Sequence, residues 1–294
     1  MSINEKPIFI RGLSRSGGTL ITTILDAHPE IAMSYELYPS LLETAFNSTA
    51  EINSFIKILK KENDISNLAK KIKDNNLKKF ILRCDRGGLD SKDIESVFIE
   101  HLTENNNFDT PQGRLELIAK CCRKKMKREG KLRWGLKCNN KYQDYLSVWP
   151  DAYFLNMIRD GRDVLASQLT TGSFKATPES LGISWAATHR AFKKIVDNES
   201  TNAYEICYEK LVSKPDEELK RIFIFLGLDY HEKLLDFHNQ NLTIYSASSH
   251  LSMERISVGI DTSKVNRWKS ELTEQQAEEF CDAANGLMSE YGYK

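Results

Sequence analysis

Apolar residues along the chain gather into short continuous runs separated by stretches with helical spacing, the rhythm of alternating strands and helices. Pro7-Ile8-Phe9-Ile10-Arg11-Gly12 is one such run, closed by glycine, as in a strand buried on both faces of a parallel sheet. A glycine-rich turn follows. Thr19, Leu20, Ile21, Ile24 and Leu25 then mark a helix that stops at His28-Pro29. The rhythm returns at Arg133-Trp134-Gly135-Leu136-Lys137, a short strand, with a helix predicted over 141–148. Ala152 to Ile158 is the most strand-like segment, and Arg159-Asp160-Gly161 turns it into a helix beginning near Arg162. Ala203 to Tyr208 is another strand, followed by a helix carrying Leu219, Ile222, Phe223 and Phe225, and an amphipathic helix runs from Glu271 to the C-terminus.

Residues 40–130 break this pattern. They are rich in Lys, Asn and Glu, with helical spacing in Phe55, Ile56, Ile58 and Leu59 and again in Leu115, Leu117 and Ile118. Between them, Lys79-Phe80-Ile81-Leu82-Arg83 reads as a strand and Arg86-Gly87-Gly88 as a turn. There is no internal repeat and no linker long enough to separate independent domains. The expectation is one α/β domain over residues 1–294, a parallel sheet flanked by helices, with a mostly helical insertion at about 40–130.

The 41 basic and 41 acidic residues cancel, with neither sign gathered in one half of the chain. Nucleic-acid coats need a basic excess, so that class is disfavoured. No apolar stretch approaches the roughly 20 residues that span a bilayer, and the start of the chain has no signal-peptide pattern. Six scattered cysteines (Cys84, Cys121, Cys122, Cys138, Cys207 and Cys281) form no CxxC pair, and no histidine stands at zinc-finger spacing. A cytoplasmic protein with reduced cysteines and no metal is the expectation.

Gly12-Leu13-Ser14-Arg15-Ser16-Gly17-Gly18-Thr19 has the frame of a nucleotide-binding P-loop, with Gly18 where the lysine belongs. Backbone N–H groups at a helix N-terminus still cradle an anion, while the cation for the β- and γ-phosphates of a triphosphate is lost. Arg15 and Ser16 offer another cation and another hydroxyl. A glycine turn that merely joins strand to helix is spelled the same way, so the loop alone leaves both readings open. A second element tips the balance. Arg159 stands at a strand's carboxyl edge, where parallel sheets bind ligands, with Ser167 eight residues on in the next helix. A solvated helix start, with Asp163 complementing the dipole, is the plainer account of that segment.

Together these elements resemble the sulfotransferase superfamily, whose members use 3′-phosphoadenosine 5′-phosphosulfate (PAPS). Arg15-Ser16-Gly17-Gly18-Thr19-Leu20 is similar to the family's 5′-phosphosulfate loop, with Gly18 in place of the usual Thr or Ser. Asp26-Ala27-His28-Pro29-Glu30 continues in the manner of the tyrosylprotein and bacterial branch. Arg159 and Ser167 resemble the 3′-phosphate ligands, Tyr208 the adenine contact, and Ser252 to Trp268, with Arg267, the C-terminal cofactor segment. The resemblance covers most of the chain and is weakest over 40–130. It implies a P-loop-like fold, PAPS as co-substrate without metal, and transfer to a hydroxyl rather than an amine. The acceptor is expected to be a small molecule rather than a protein, with no nucleic acid, and a homodimer is left open. In this branch a loop arginine and a glutamate serve the chemistry. Glu36, ten residues after Asp26, is in register with that glutamate, ahead of Glu43, which is predicted to lie in a helix. Lys137 resembles the lysine that assists the leaving group, although Cys138-Asn139 follows it where the family has a proline, and a lysine capping a strand reads the same. His28 reads as a partner of the helix dipole, and His231 and His238, seven apart on a helix face, receive no role. The rival functions are a P-loop kinase, which needs the missing lysine and an aspartate for Mg²⁺, and a nucleotide-binding member without turnover. The insertion is expected to cover the acceptor site.

Overall fold

The computed structural model describes residues 5–104, 108–139, 141–172, 176–198, 201–245 and 257–293. In chain order the elements are β1 (Ile8–Gly12), α1 (Gly18–Asp26), β2 (Ile31–Tyr35), α2 (Thr49–Lys61), α3 (Ile65–Lys71), α4 (Asn75–Arg86), α5 (Ser91–Thr103) and α6 (Pro111–Arg128). They continue with β3 (Arg133–Lys137), α7 (Tyr142–Val148), β4 (Tyr153–Ile158), α8 (Gly161–Thr171), α9 (Pro178–Val196) and β5 (Asn202–Cys207). The C-terminal part holds α10 (Tyr208–Ser213), α11 (Pro215–Leu226), α12 (Trp268–Glu271), α13 (Glu274–Ala283) and α14 (Leu287–Glu290). The strands make a five-stranded parallel sheet in the order β2-β3-β1-β4-β5, flanked by helices. β2 pairs with β3 in the register Ile31↔Arg133 to Tyr35↔Lys137, and β4 with β5 from Tyr153↔Asn202 to Ile158↔Cys207. Every residue of β2 is buried and nearly all of β4, as continuous apolar runs in a parallel sheet require.

Two compact units divide the chain. The first comprises Met1–Phe9, Thr22–Ala152 and Phe237–Ser257. Its helices α2 to α6 begin on capping side chains: Ser48, Asp64, Asp74, Asp90 and Thr110 each accept the N–H three residues on. Phe46, Phe55, Phe98 and Phe108 pack edge-to-face or stacked between these helices, with ring centroids 5.0–5.8 Å apart. The Lys79–Arg83 run lies within helix α4, not in a strand. Its buried positions are Leu77, Phe80, Ile81 and Cys84, a helical spacing that the five-residue run alone is too short to show.

The second unit comprises Ile10–Ile21, Tyr153–Asp236 and Val258–Lys294. Here α9 and α13 pack around Leu181, Trp185, Phe280, Ala284 and Leu287, with Ile158 and Val164 contributed by β4 and α8. His231 and His238 do not share a helix face: the segment Glu232–Asn239 is a 3₁₀ stretch kinked at Asp236.

Candidate active site

In the second unit the loop from β1 to α1 makes two left-handed turns, Arg15 at φ 80° and Gly17 at φ 95°. Only glycine fits at 17, where a Cβ would stand 2.6 Å from the Tyr208 ring. Arg15 has no such freedom, and a non-glycine residue in this region costs about 1–3 kcal/mol. The surroundings hold it there. Its Nε donates to Ser167 Oγ at 3.0 Å, and its carbonyl accepts Arg159 Nη1 at 3.0 Å. Ser16 is buried, and its hydroxyl has no hydrogen-bond partner among the described residues. Gly18, Thr19 and Leu20 form the first turn of α1, whose N–H groups have no acceptor within the helix.

Arg159 follows directly on β4 and is buried. Its guanidinium lies over the Tyr208 ring at 4.3 Å, and its carbonyl accepts the Trp185 indole N–H at 3.0 Å. Nη2 stands 3.4 Å from Asp163 and donates to the Lys264 carbonyl, while Nε has no partner among the described residues. The fold thus brings Arg15, Arg159, Ser167 and Tyr208 together. Arg267 is turned to Glu271, 3.0 Å from its Nε, and approaches Thr170 Oγ1 at 3.4 Å. Ser252 lies outside the described residues. Asp163 does more than face a helix dipole: it is buried, and its carboxylate accepts the backbone N–H groups of Asn266 and Trp268.

In the first unit Glu36 follows β2 in left-handed backbone, at φ 48°. Its N–H donates to the Lys137 carbonyl at 3.0 Å, one step past the last register pair of β2 and β3. The Lys137 ammonium is 2.9 Å from one carboxylate oxygen and Arg83 Nη2 is 3.6 Å from the other. Arg83 also donates to the Glu36 carbonyl at 2.8 Å and stacks over the Tyr38 ring at 4.6 Å. Burial pushes the Glu36 carboxyl up. Lys137, Arg83 and a hydrogen bond with Tyr35 outweigh it and hold the group below its ordinary value. Tyr35 itself is pushed upward by burial and by the Glu36 charge beside it. Glu36 is therefore an ionised carboxylate at neutral pH, fixed by two cations and able to accept a proton.

Glu43 is placed differently from expectation. It sits exposed in a turn rather than in a helix, 3.9 Å from Arg114. His28 is buried, and its Nδ1 accepts the Glu30 N–H at 3.1 Å in the turn after α1. Among the described residues no group of three or more His, Cys, Asp or Glu is arranged to hold a metal, and no helix is long and apolar enough to cross a membrane.

The model of the sulfotransferase family matches residues 7–232. This chain belongs to the sulfotransferase family. A Caenorhabditis briggsae protein provisionally named protein-tyrosine sulfotransferase is 26% identical over 98% of this chain and 89% of its own length. The protein-tyrosine sulfotransferase of Drosophila melanogaster is 22% identical over 97% of this chain, which spans about half, 51%, of that protein. The nodulation protein NoeE of Sinorhizobium fredii is 24% identical over 97% of this chain and 65% of its own length. In structure, the sulfotransferase domain of the Synechococcus PCC 7002 olefin synthase superposes with a TM-score of 0.61 at 18% identity, covering 94% of this chain and 96% of that one. A likeness at that identity speaks for the fold. In this sulfotransferase, Arg83 is the residue at Glu36 that sequence reasoning passed over, because the run containing it was spelled as a strand. A helical reading from Leu77 to Cys84 would have put it on the face next to the buried stripe.

Proposed function

We propose that this sulfotransferase moves the sulfuryl group of PAPS to a hydroxyl, in preference to an amine, of a small acceptor molecule. The nucleotide supplies an activated sulfuryl group whose bond to the 5′-phosphate breaks as the acceptor oxygen bonds to sulfur, leaving adenosine 3′,5′-bisphosphate. Glu36 takes the acceptor's proton, and Arg15 and Lys137 stabilise the charge that moves to the transferred group and the leaving phosphate. The observation that carries this reading is the Glu36 carboxylate, clamped between Lys137 and Arg83 in left-handed backbone at the carboxyl end of β2.

The nucleotide fits the residues present. The buried Ser16 hydroxyl and Arg159 Nε both lack partners among the described residues. These are donors for phosphate and sulfate oxygens. Arg159 and Ser167 are assigned to the 3′-phosphate, and Tyr208, packed on Gly17 and Arg159, to the adenine side. Arg83 of α4 stands on Glu36, which supports reading the 40–130 helices as the acceptor's side of a single sulfotransferase domain.

The test is a panel of hydroxyl and amine acceptors with PAPS, following release of adenosine 3′,5′-bisphosphate. Because relatives carry the name protein-tyrosine sulfotransferase, tyrosine-containing peptides belong in the panel beside small phenols and alcohols. Release that depends on a hydroxyl acceptor and on Glu36 supports the proposal. Tight nucleotide binding with no turnover on any acceptor points to the non-catalytic alternative, and activity with ATP and Mg²⁺ to the kinase.

A further inference from the structure

Asp163 lies one helical turn after Arg159, is fully buried, and has no part in the chemistry proposed above. Its Oδ1 accepts the Trp268 N–H at 3.0 Å, and its Oδ2 accepts the Asn266 N–H at 3.0 Å while standing 3.4 Å from Arg159 Nη2. The same Nη2 donates to the carbonyl of Lys264. Segment 264–268 is thus fastened to Arg159 directly and to Asp163 by two amides.

Asn266 makes this possible. It occupies left-handed backbone at φ 60°, which turns the chain so that the amides of residues 266 and 268 reach one carboxylate. A second fastening lies alongside. The Arg162 guanidinium stacks on the Trp268 ring at 3.9 Å and is itself gripped by Asp160 at 2.8 Å. A buried carboxylate beside an anion-binding arginine repels the anion that the arginine attracts. What Asp163 offers that site is therefore position and not charge.

We infer that Asp163 is a positioning residue for the nucleotide's 3′-phosphate. It locks the 264–268 turn to Arg159, so that guanidinium and turn meet the phosphate as a preformed unit. The inference rests on the reading of Arg159 as the 3′-phosphate ligand.

Binding of adenosine 3′,5′-bisphosphate and of AMP, measured by calorimetry on the full chain, tests it. In Asp163→Asn the side chain keeps one oxygen and turns an NH₂ group towards a backbone N–H, donor against donor. Adenosine 3′,5′-bisphosphate should then bind about 10- to 100-fold more weakly, with AMP changed by less than about threefold. In turnover, KM for PAPS should rise by the same factor while kcat falls far less. Asn266→Val, which forces a β-branched residue into left-handed backbone with Asp163 intact, should reproduce the selective loss, and Asn266→Gly should restore the preference for the 3′-phosphate. Tighter binding of adenosine 3′,5′-bisphosphate in Asp163→Asn would show that charge repulsion is the whole effect and overturn the inference. So would equal losses for both nucleotides, or full selectivity in Asn266→Val. A wild-type protein that fails to prefer the 3′-phosphorylated nucleotide overturns the reading of Arg159 first, and this inference with it.

Discussion

The side chains of Lys137 and Glu36 meet at 2.9 Å, and the backbones of the same two residues are joined as well, Glu36 N–H to Lys137 carbonyl at 3.0 Å. The carboxylate is therefore set by the register of β2 on β3 and not by side-chain rotamers alone. Glu36→Gln keeps the shape and the backbone bond but cannot accept a proton. It should lower kcat by about 10²- to 10⁴-fold with PAPS affinity nearly unchanged. Glu43→Gln, at an exposed position beside Arg114, is the matched control and should turn over like wild type. Single-turnover rates on both variants decide the matter.

The pH dependence should follow from the two cations. Burial raises the Glu36 carboxyl, but Lys137 and Arg83 bring it below its ordinary value, so activity that needs the ionised form persists at pH values where a free glutamate is protonated. It disappears only as pH falls through that depressed value. In Arg83→Met one stabilising cation is gone, so the acid limb of kcat/KM should move to higher pH. An unmoved limb would mean that the limb reports another group.

Arg159→Ala should weaken adenosine 3′,5′-bisphosphate much more than AMP. A lost charge-assisted hydrogen bond costs about 1.5–3 kcal/mol, or roughly ten- to a hundred-fold. Equal weakening of both nucleotides would remove Arg159 from the 3′-phosphate. The Tyr208 ring beneath the guanidinium gives a control, because Tyr208→Phe keeps the stacked face and should leave the ratio intact.

The loop without its lysine makes a prediction about metal. With Arg15 as the loop's cation, turnover with PAPS should be unchanged by EDTA, and Arg15→Ala should depress kcat while nucleotide binding is partly kept. Gly18→Lys should not create an ATPase, since a Mg²⁺-holding aspartate is still missing from the scheme. Loss of PAPS turnover on chelation is the result that would count against this.

A stability prediction comes from the first unit. Lys125 and Asp26 are both completely buried and paired at 2.5 Å, and Asp26 also accepts the Met33 N–H at 2.7 Å. Lys125→Met removes the nearer of the two ammonium groups on the buried Asp26 carboxylate, leaving Lys131 at 3.8 Å, and should cost about 3–5 kcal/mol in urea unfolding. Pairing it with Asp26→Asn, which removes the poorly paired charge, should recover a large part of that loss.

How much of this was legible in the sequence differs from residue to residue. Parallel strands are readable at 8–12, 133–137 and 153–158 because each has a buried, mostly apolar centre, even though Arg11, Arg133, Lys137 and Asn156 interrupt or flank the runs. Motifs of fixed spacing after β1, β4 and β5 single out Arg15, Arg159, Ser167 and Tyr208, and the fold makes them neighbours. Lys79 to Arg83 reads as a strand because five residues are too few to distinguish a period of 2 from one of 3.6; the helical stripe shows only when Leu77 and Cys84 are added. Arg83 was lost with it. Sequence offers Asp163 only a helix-dipole role, in the plainer account of its segment, since its partners are backbone amides a hundred residues away. Local pattern does not encode such pairings.

Arg15 and Glu36, the two residues assigned to opposite ends of the reaction, both sit where glycine would be more comfortable. Heat tolerance and turnover therefore pull in opposite directions at these two positions. A library selected only for surviving high temperature should drift to glycine at 15 and 36, gaining robustness by discarding the cation and the base together. A library selected for product should keep both against that drift, and the two outcomes side by side would measure how much fold stability this chain gives up for its chemistry.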